Sequence, residues 1–329
     1  MAKIDLLNQG FKSVAERILE VKKYDPSQLL TFGISFLDRA LRGIFPDDLI
    51  LFGAMPGAGK TQLAVNIGLI NSNLGKRVHL FALEASKNEI ESRMLYSLVA
   101  QEYYKSLVRP ILTRELNYED WLIGYFGDKL EYFEDVAKNE ILKRENFNTF
   151  YRDDEKFTEK TLDNMANTYA GETDLLIVDH VHYFDFIGDD ENKALHSIIK
   201  TARKIVLDIK KPMIMIAHLR KRDKFTELVP GMYEFHGSSN LTKIATRVIT
   251  MAPGGPTEND PLKFYTNIRV SKNRFNSSVS NYIGQTLFDI RTNEYGDWTI
   301  GKLSKDGKEF QPLAQWEEPY WAKPDRNIL

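Results

Sequence analysis

The chain has 329 residues, 43% of them hydrophobic and 27% charged, a globular balance that one large α/β domain or two average domains would satisfy. No uninterrupted apolar run approaches the ~20 residues of a membrane span, the opening residues lack the apolar segment of a secretory signal, and the absence of cysteine excludes disulfides and thiolate-bound zinc. A cytoplasmic, non-secreted protein is expected; with a net charge of −2 it cannot coat nucleic acid by bulk charge, so such contact needs a local cluster or a surface assembled from several subunits.

From the N-terminus, Phe11, Val14, Ile18 and Val21 recur at helical spacing among charged residues, so residues 5–23 read as an amphipathic helix. Tyr24-Asp25-Pro26-Ser27 breaks it, which makes residues 1–29 a linker element that packs on its own core or docks on a neighbouring subunit. Leu49 to Asn66, LILFGAMPGAGKTQLAVN, then joins a short apolar strand to a glycine-rich turn and a helix. This is the form of a P-loop: backbone N–H groups curl around phosphate oxygens, a lysine reaches the β and γ phosphates, and a hydroxyl holds Mg²⁺. Pro56, Gly57, Ala58, Gly59, Lys60, Thr61 and Gln62 are the candidate nucleotide-binding residues, with Ala54 where the usual pattern has its first glycine.

Arg77 to Leu83 is an apolar strand leading to Glu84, and Ser86 with Glu89 reads as a capping box for a helix that buries Ile90, Met94 and Leu98. From Gln101 to Thr173 the signals are helical and polar, apart from a β-like piece at Phe147 to Tyr151 and a helix capped by Thr158. The aromatics Tyr103, Tyr104, Trp121, Tyr125, Phe126, Tyr132 and Phe133 are expected to form a local core. Leu175 to Asp179, LLIVD, reads as a buried parallel strand ending in a carboxylate, a Walker B strand whose Asp179 holds the water shell of Mg²⁺. A helix follows with Leu195, Ile198, Ala202, Ile205 and Ile209 on one face, then a strand ending in His218, a polar loop, and apolar strands at Val248 to Met251 and Phe264 to Val270. Pro253 to Pro261 reads as a loop, and the tail with Trp316, Tyr320 and Trp321 has no clear periodicity. Strands alternating with helices predict an α/β core, a mostly parallel twisted sheet with helices on both faces, over residues 30–303, leaving 304–329 as a C-terminal tail.

In this order the motifs resemble the RecA-like P-loop NTPase core of DnaB-type replicative helicases, with the nearest likeness to the helicase half of phage primase-helicases and mitochondrial Twinkle. AMPGAGKT looks like the family's P-loop, which commonly begins with alanine, and FALEAS is similar to its strand ending in the catalytic glutamate. LTRELNYEDW resembles a helical segment of the DnaB core. VDHVHYF and AHLRKRDK resemble the Walker B and phosphate-sensor strands, HGSSNLTKIATRVITM the DNA-loop helix, and RVSKNRF the Lys-x-Arg element whose cations reach the neighbouring subunit's nucleotide.

The resemblance gives Glu84 the task of orienting and deprotonating the attacking water, although a carboxylate after a strand can also be a plain solvated residue. It makes His218 the sensor of the γ-phosphate, where the alternative is a histidine satisfied at a strand end. Lys272 and Arg274, two residues apart on an extended segment, are expected to project to one side, with Arg274 as a finger acting in trans; either could instead be a solvated charge. For nucleic acid the candidates are Lys221, Arg222 and Lys224 in the loop after His218, and Gly237, Ser238, Ser239 and Asn240 in the following turn. Thr246 stands where the family often has an acidic residue, a departure close to the expected DNA contacts.

The resemblance implies an ATP- and Mg²⁺-dependent DNA helicase or translocase acting as a homo-oligomer, a hexameric ring, on single-stranded DNA, with a primase, polymerase or loader supplied by another chain and no membrane partner. A RecA- or RadA-like recombinase and a nucleotide-regulated loader or switch are the alternatives. In the family such a linker helix packs on the adjacent subunit, which gives the stripe of Phe11, Val14 and Ile18 a second destination.

Overall fold

The computed structural model describes residues 18, 23–55, 57–152, 156–186, 190–220, 227–235 and 239–323. The expected N-terminal helix lies outside them except for Ile18, which is helical and exposed. The strands are β1 (Leu49–Ala54), β2 (Val78–Ala82), β3 (Phe147–Tyr151), β4 (Leu175–Asp179), β5 (Met213–His218), β6 (Arg247–Pro256), β7 (Lys263–Asn273), β8 (Ile283–Asp289), β9 (Glu294–Leu303) and β10 (Phe310–Pro312). The helices are α1 (Ser35–Leu41), α2 (Lys60–Asn73), α3 (Lys87–Lys105), α4 (Tyr118–Leu122), α5 (Glu131–Leu142), α6 (Glu159–Thr168), α7 (Glu191–Ile209) and α8 (Ser239–Ile244). Among the described residues no helix is long and apolar enough to cross a membrane.

The strands form one sheet in the order β10-β9-β8-β7-β6-β1-β5-β4-β2-β3. From β6 to β3 all neighbours are parallel, and from β6 to β10 all are antiparallel. The central strands β1 and β4 are buried along their whole length, as parallel strands covered on both faces must be. Alternation divides their side chains between two cores. Ile50 and Phe52 join α1, α2 and the inner face of β2 and β5; Leu49 and Leu51 join α6, α7 and the opposite face of β4 and β5.

A third cluster lies under α3, α4 and α5, where Tyr103, Phe126 and Phe133 are buried with Tyr96, and Tyr104 and Trp121 pack partly against them. Tyr125 and Tyr132 do not belong to it and are exposed. The expected loop at Pro253 to Pro261 is shorter than its composition suggests. β6 runs on to Pro256 opposite Phe264, and the register shift between Pro253 and Pro256 accommodates prolines that cannot donate to a regular ladder. Strands β8, β9 and β10 have no counterpart in the sequence reading. The segment after Leu303 adds β10 to the sheet edge and packs buried Trp321 against Phe36 and Tyr282.

At the amino ends of β1 and β6, Asp48 and Arg247 are both fully buried and paired at 3.2 Å. Thr246 donates to Asp48 Oδ1 at 2.9 Å and its hydroxyl accepts the Leu49 N–H at 3.0 Å. Thr246 is therefore part of a buried polar knot joining β1 to β6, not a surface residue available to DNA; the hydroxyl satisfies groups that would otherwise be stranded in the core.

Candidate nucleotide site at the carboxyl edge of the sheet

β1 lies between β5 and β6, so the chain's path across the sheet reverses on either side of it, and a crevice opens at the carboxyl ends there. Four strand ends meet at this edge. Ala54 is in register with His218, Ala82 is in register with Asp179, and Glu84 follows two residues beyond the end of β2.

Between β1 and α2 the chain turns through Gly57 and Gly59, both with positive φ, 77° and 79°. That left-handed backbone is open to glycine and strained for other residues, and it points successive N–H groups into one concavity. Gly59 is the N-cap of α2 and offers no side-chain acceptor, and the first turn contains no acid. The helix therefore presents unsatisfied N–H donors and the positive end of its dipole to the loop. Pro56 lies outside the described residues.

Lys60 is 7% exposed, and its ammonium donates to the carbonyls of Met55 at 3.0 Å and Ala54 at 3.4 Å. Burial lowers its pKa, while Asp179 and Glu84 act in the opposite direction. Asp179 is 1% exposed, and among the described residues neither carboxylate oxygen has a partner in good hydrogen-bonding geometry, although the Thr61 hydroxyl is near enough to favour the ionised form. Burial pushes its carboxyl up to about 6; the nearby Thr61 hydroxyl opposes the shift, Glu84 adds to it and Lys60 opposes it. Two orphaned carboxylate oxygens beside a hydroxyl are the hard oxygen donors a divalent cation takes, so Asp179 and Thr61 fit Mg²⁺.

The Gln62 side chain is engaged within the protein. Its amide donates to Asn66 at 2.9 Å and accepts from Arg93 of α3 at 3.3 Å, so its side chain is committed within the helical layer and leaves only a backbone N–H for the loop.

Glu84 is surrounded by imidazoles and a phenol. Its Oε2 lies 2.9 Å from His180 Nε2 and 4.0 Å from His218 Nε2, and Tyr183 donates to Oε1 at 3.5 Å. The His180 and His218 rings meet edge to face with centroids 4.0 Å apart. Burial lowers the pKa of His180 to about 2, with His218, His182 and Lys60 pushing the same way, so its ring is neutral. Sequence reading placed Glu84, Asp179 and His218 here but not His180. Its adjacency to Asp179 is the signal that would have found it.

Lys272 is engaged within its own chain; burial lowers its pKa and the nearby Arg274 charge adds to the shift. The Lys272 ammonium donates to the carbonyls of Thr242 and Lys243, each at 2.8 Å, and of Ala245 at 2.7 Å, and so caps the carboxyl end of α8, where helix carbonyls lack partners. Arg274 is exposed, and among the described residues its guanidinium has no hydrogen bond or ion pair. Of the nucleic-acid candidates, Lys221, Arg222, Lys224, Gly237 and Ser238 lie outside the described residues, while Ser239 and Asn240 begin α8. The residues flanking both segments are paired: Leu219 bridges Phe235, and the Arg220 N–H donates to the Glu234 carbonyl at 2.7 Å.

A parallel sheet with a glycine-turned phosphate loop at its switch point, an orphaned aspartate on an inner strand and a glutamate beyond β2 defines a RecA-like P-loop NTPase core. The family model for the DnaB-like helicase C-terminal domain matches residues 30–281, and the chain belongs to that family. It is 27% identical over 261 residues to the replicative DNA helicase DnaB of Buchnera aphidicola subsp. Baizongia pistaciae, an alignment covering 70% of this chain and 53% of the relative. The chain thus spans about half the length of that curated relative. Among solved structures, an isolated ATPase domain superposes with a TM-score of 0.57 at 16% identity, covering 92% of this chain and 96% of that one. A DnaB-like replicative helicase, studied with its interactions with primase, gives 0.58 at 15% identity, covering 95% and 67%. Similarity at these identities shows the fold.

Proposed function

We propose that the chain is the motor of a ring-forming replicative DNA helicase, which hydrolyses ATP with Mg²⁺ between subunits and moves along single-stranded DNA. The observation that carries this reading is buried Asp179, its oxygens without a well-aligned partner among the described residues, near Lys60 and Glu84 at the switch point of a DnaB-family core. In this reading the phosphates take over the Lys60 ammonium from the loop carbonyls and accept the N–H groups at the start of α2. Thr61 and Asp179 hold Mg²⁺, which when bound neutralises charge on the β and γ phosphates. Glu84 orients the attacking water and accepts its proton, and His218 reports the state of the γ-phosphate to the adjoining loop.

Arg274, exposed and without an internal partner among the described residues, is the finger offered to the neighbouring subunit's nucleotide; Lys272 supports it through α8. Single-stranded DNA is held by Lys221, Arg222, Lys224 and residues 237–240 of several subunits, so that a modest cluster repeated around a hexameric channel suffices despite the net charge of −2. A primase or loader comes from another chain. Strand displacement on a forked duplex tests the reading: ATP-dependent unwinding by six-fold particles supports it, while strand exchange by filaments, or turnover without either activity, would replace it by a recombinase or a switch.

A further inference from the structure

The imidazole of His180, whose side chain is 1% exposed, brings Nε2 to 2.9 Å from Glu84 Oε2. The other ring nitrogen fixes what Nε2 can do. Nδ1 accepts the backbone N–H of His182 at 3.3 Å and so carries no proton itself, which leaves Nε2 as the ring's donor. At 2.9 Å the N–H does not point in line at the carboxylate, and among the described residues Nε2 has no other acceptor. Alignment would require the Glu84 side chain, 38% exposed, to turn towards the ring, as catalytic contacts often tighten only in the reacting complex.

Glu84, His180 and His218 also offer ligand atoms all within 4.8 Å of one another, the donor set of a two-histidine, one-carboxylate metal site. The tautomer speaks against that use. A metal-bound imidazole gives one lone pair to the ion and donates its other N–H to an acceptor, whereas Nδ1 of His180 faces a donor.

We propose that His180 is a positioning residue for Glu84: its Nε2–H holds the carboxylate in the orientation from which it addresses the attacking water. The proposal rests on the reading of Glu84 as the general base. Glu84 stands beyond the end of β2 on a flexible side chain, and its other contacts are long, 3.5 Å to Tyr183 and 4.0 Å to His218. His180, by contrast, directly follows the buried strand β4, with its ring packed edge-on against His182, Tyr183 and His218. A rigid donor against a mobile carboxylate is what orientation of a base requires.

The test is steady-state ATP turnover by the full chain with single-stranded DNA, with ATP–Mg²⁺ affinity and melting temperature measured separately. His180→Leu should lower kcat roughly 10- to 100-fold, the loss that follows misplacement of a reacting group by about 1 Å, with nucleotide affinity within about twofold. His180→Gln, whose amide N–H reaches close to the position of Nε2, should recover most of the rate. In a Glu84→Gln background His180→Leu should add little, because the two residues act as one unit. Wild-type turnover in His180→Leu, or equal losses in both variants with lower melting temperature and affinity, would overturn the proposal. Wild-type turnover in Glu84→Gln would instead remove the base itself, a separate failure. A Co²⁺ titration giving tetrahedral d–d absorption at one ion per chain, abolished by His180→Gln, would make the trio a metal site and also overturn it.

Discussion

Lys60 shows how a single side chain waits for its ligand. Its ammonium is held by the carbonyls of Ala54, at the end of β1, and Met55 rather than by a carboxylate, so the proposed phosphate would meet a cation whose present partners are neutral. Lys60→Ala should weaken ATP–Mg²⁺ roughly 10- to 100-fold, the worth of one or two charge-assisted hydrogen bonds; calorimetric titration showing unchanged affinity would place the nucleotide elsewhere. The positions of Lys60 and Thr61 at the start of α2 were legible from the glycine-rich turn, and that of Asp179 at the end of a buried strand from the apolar run before it. His180 was not. The strand ends at Asp179 and a 3-10 turn takes over at Val181–Tyr183, so the period-two rule that assigns faces along a strand stops one residue too soon. The commitments of Gln62 to Arg93 and of Lys272 to α8 were equally hidden, since both depend on elements distant in the chain.

At the other end of the sheet, the amino ends of β2, β4 and β5 are tied by Asp174. Its carboxylate accepts from Arg77 at 2.9 and 3.0 Å and from Lys211 at 3.0 Å. Burial works against its ionisation, but the bonds from the Arg77 side chain and backbone and from Lys211 outweigh it and hold the carboxyl well below the usual range. A depressed acid stabilises the fold above its unfolded pKa of about 3.9 and loses that contribution as pH falls towards its folded value. Asp174→Asn should therefore cost about 1–2 kcal/mol near pH 7, discounted for partial exposure, and the difference from wild type should shrink below about pH 4. Chemical denaturation at several pH values measures it; a constant difference across that range would exclude the ionised carboxylate as the cause. The elements read most easily were those buried on both faces, β1, β4 and β5. Strands β8 to β10 escaped because they lie at the antiparallel edge. β9 is partly exposed on both faces, and such a strand carries no enforced alternation.

For the assembly proposed above, a finger supplied by a neighbour would place the two halves of each catalytic site on different chains. Lys60→Ala and Arg274→Ala subunits should each be inactive alone, yet their mixture should regain part of the ATPase, since some interfaces then pair an intact loop with an intact finger. Loss of such a finger costs on the order of 10³-fold or more, so a small recovery is visible; demonstrated subunit exchange with no recovery, together with a fully active monomeric wild type, would exclude the trans arrangement. The grip of Lys272 on α8 has a mechanical consequence for such a ring. The helix starts at Ser239 and Asn240, in the segment offered to DNA, and its far end is clasped by an ammonium two residues before Arg274. In the proposed ring, a tug on the strand at one end would be carried through this helix to the segment that bears Arg274, a crank turned by DNA rather than two separate contacts. Lys272→Ala should disconnect that crank and lower the ratio of DNA-stimulated to basal turnover, whereas a ratio equal to wild type would mean that load passes from strand to neighbour by another route.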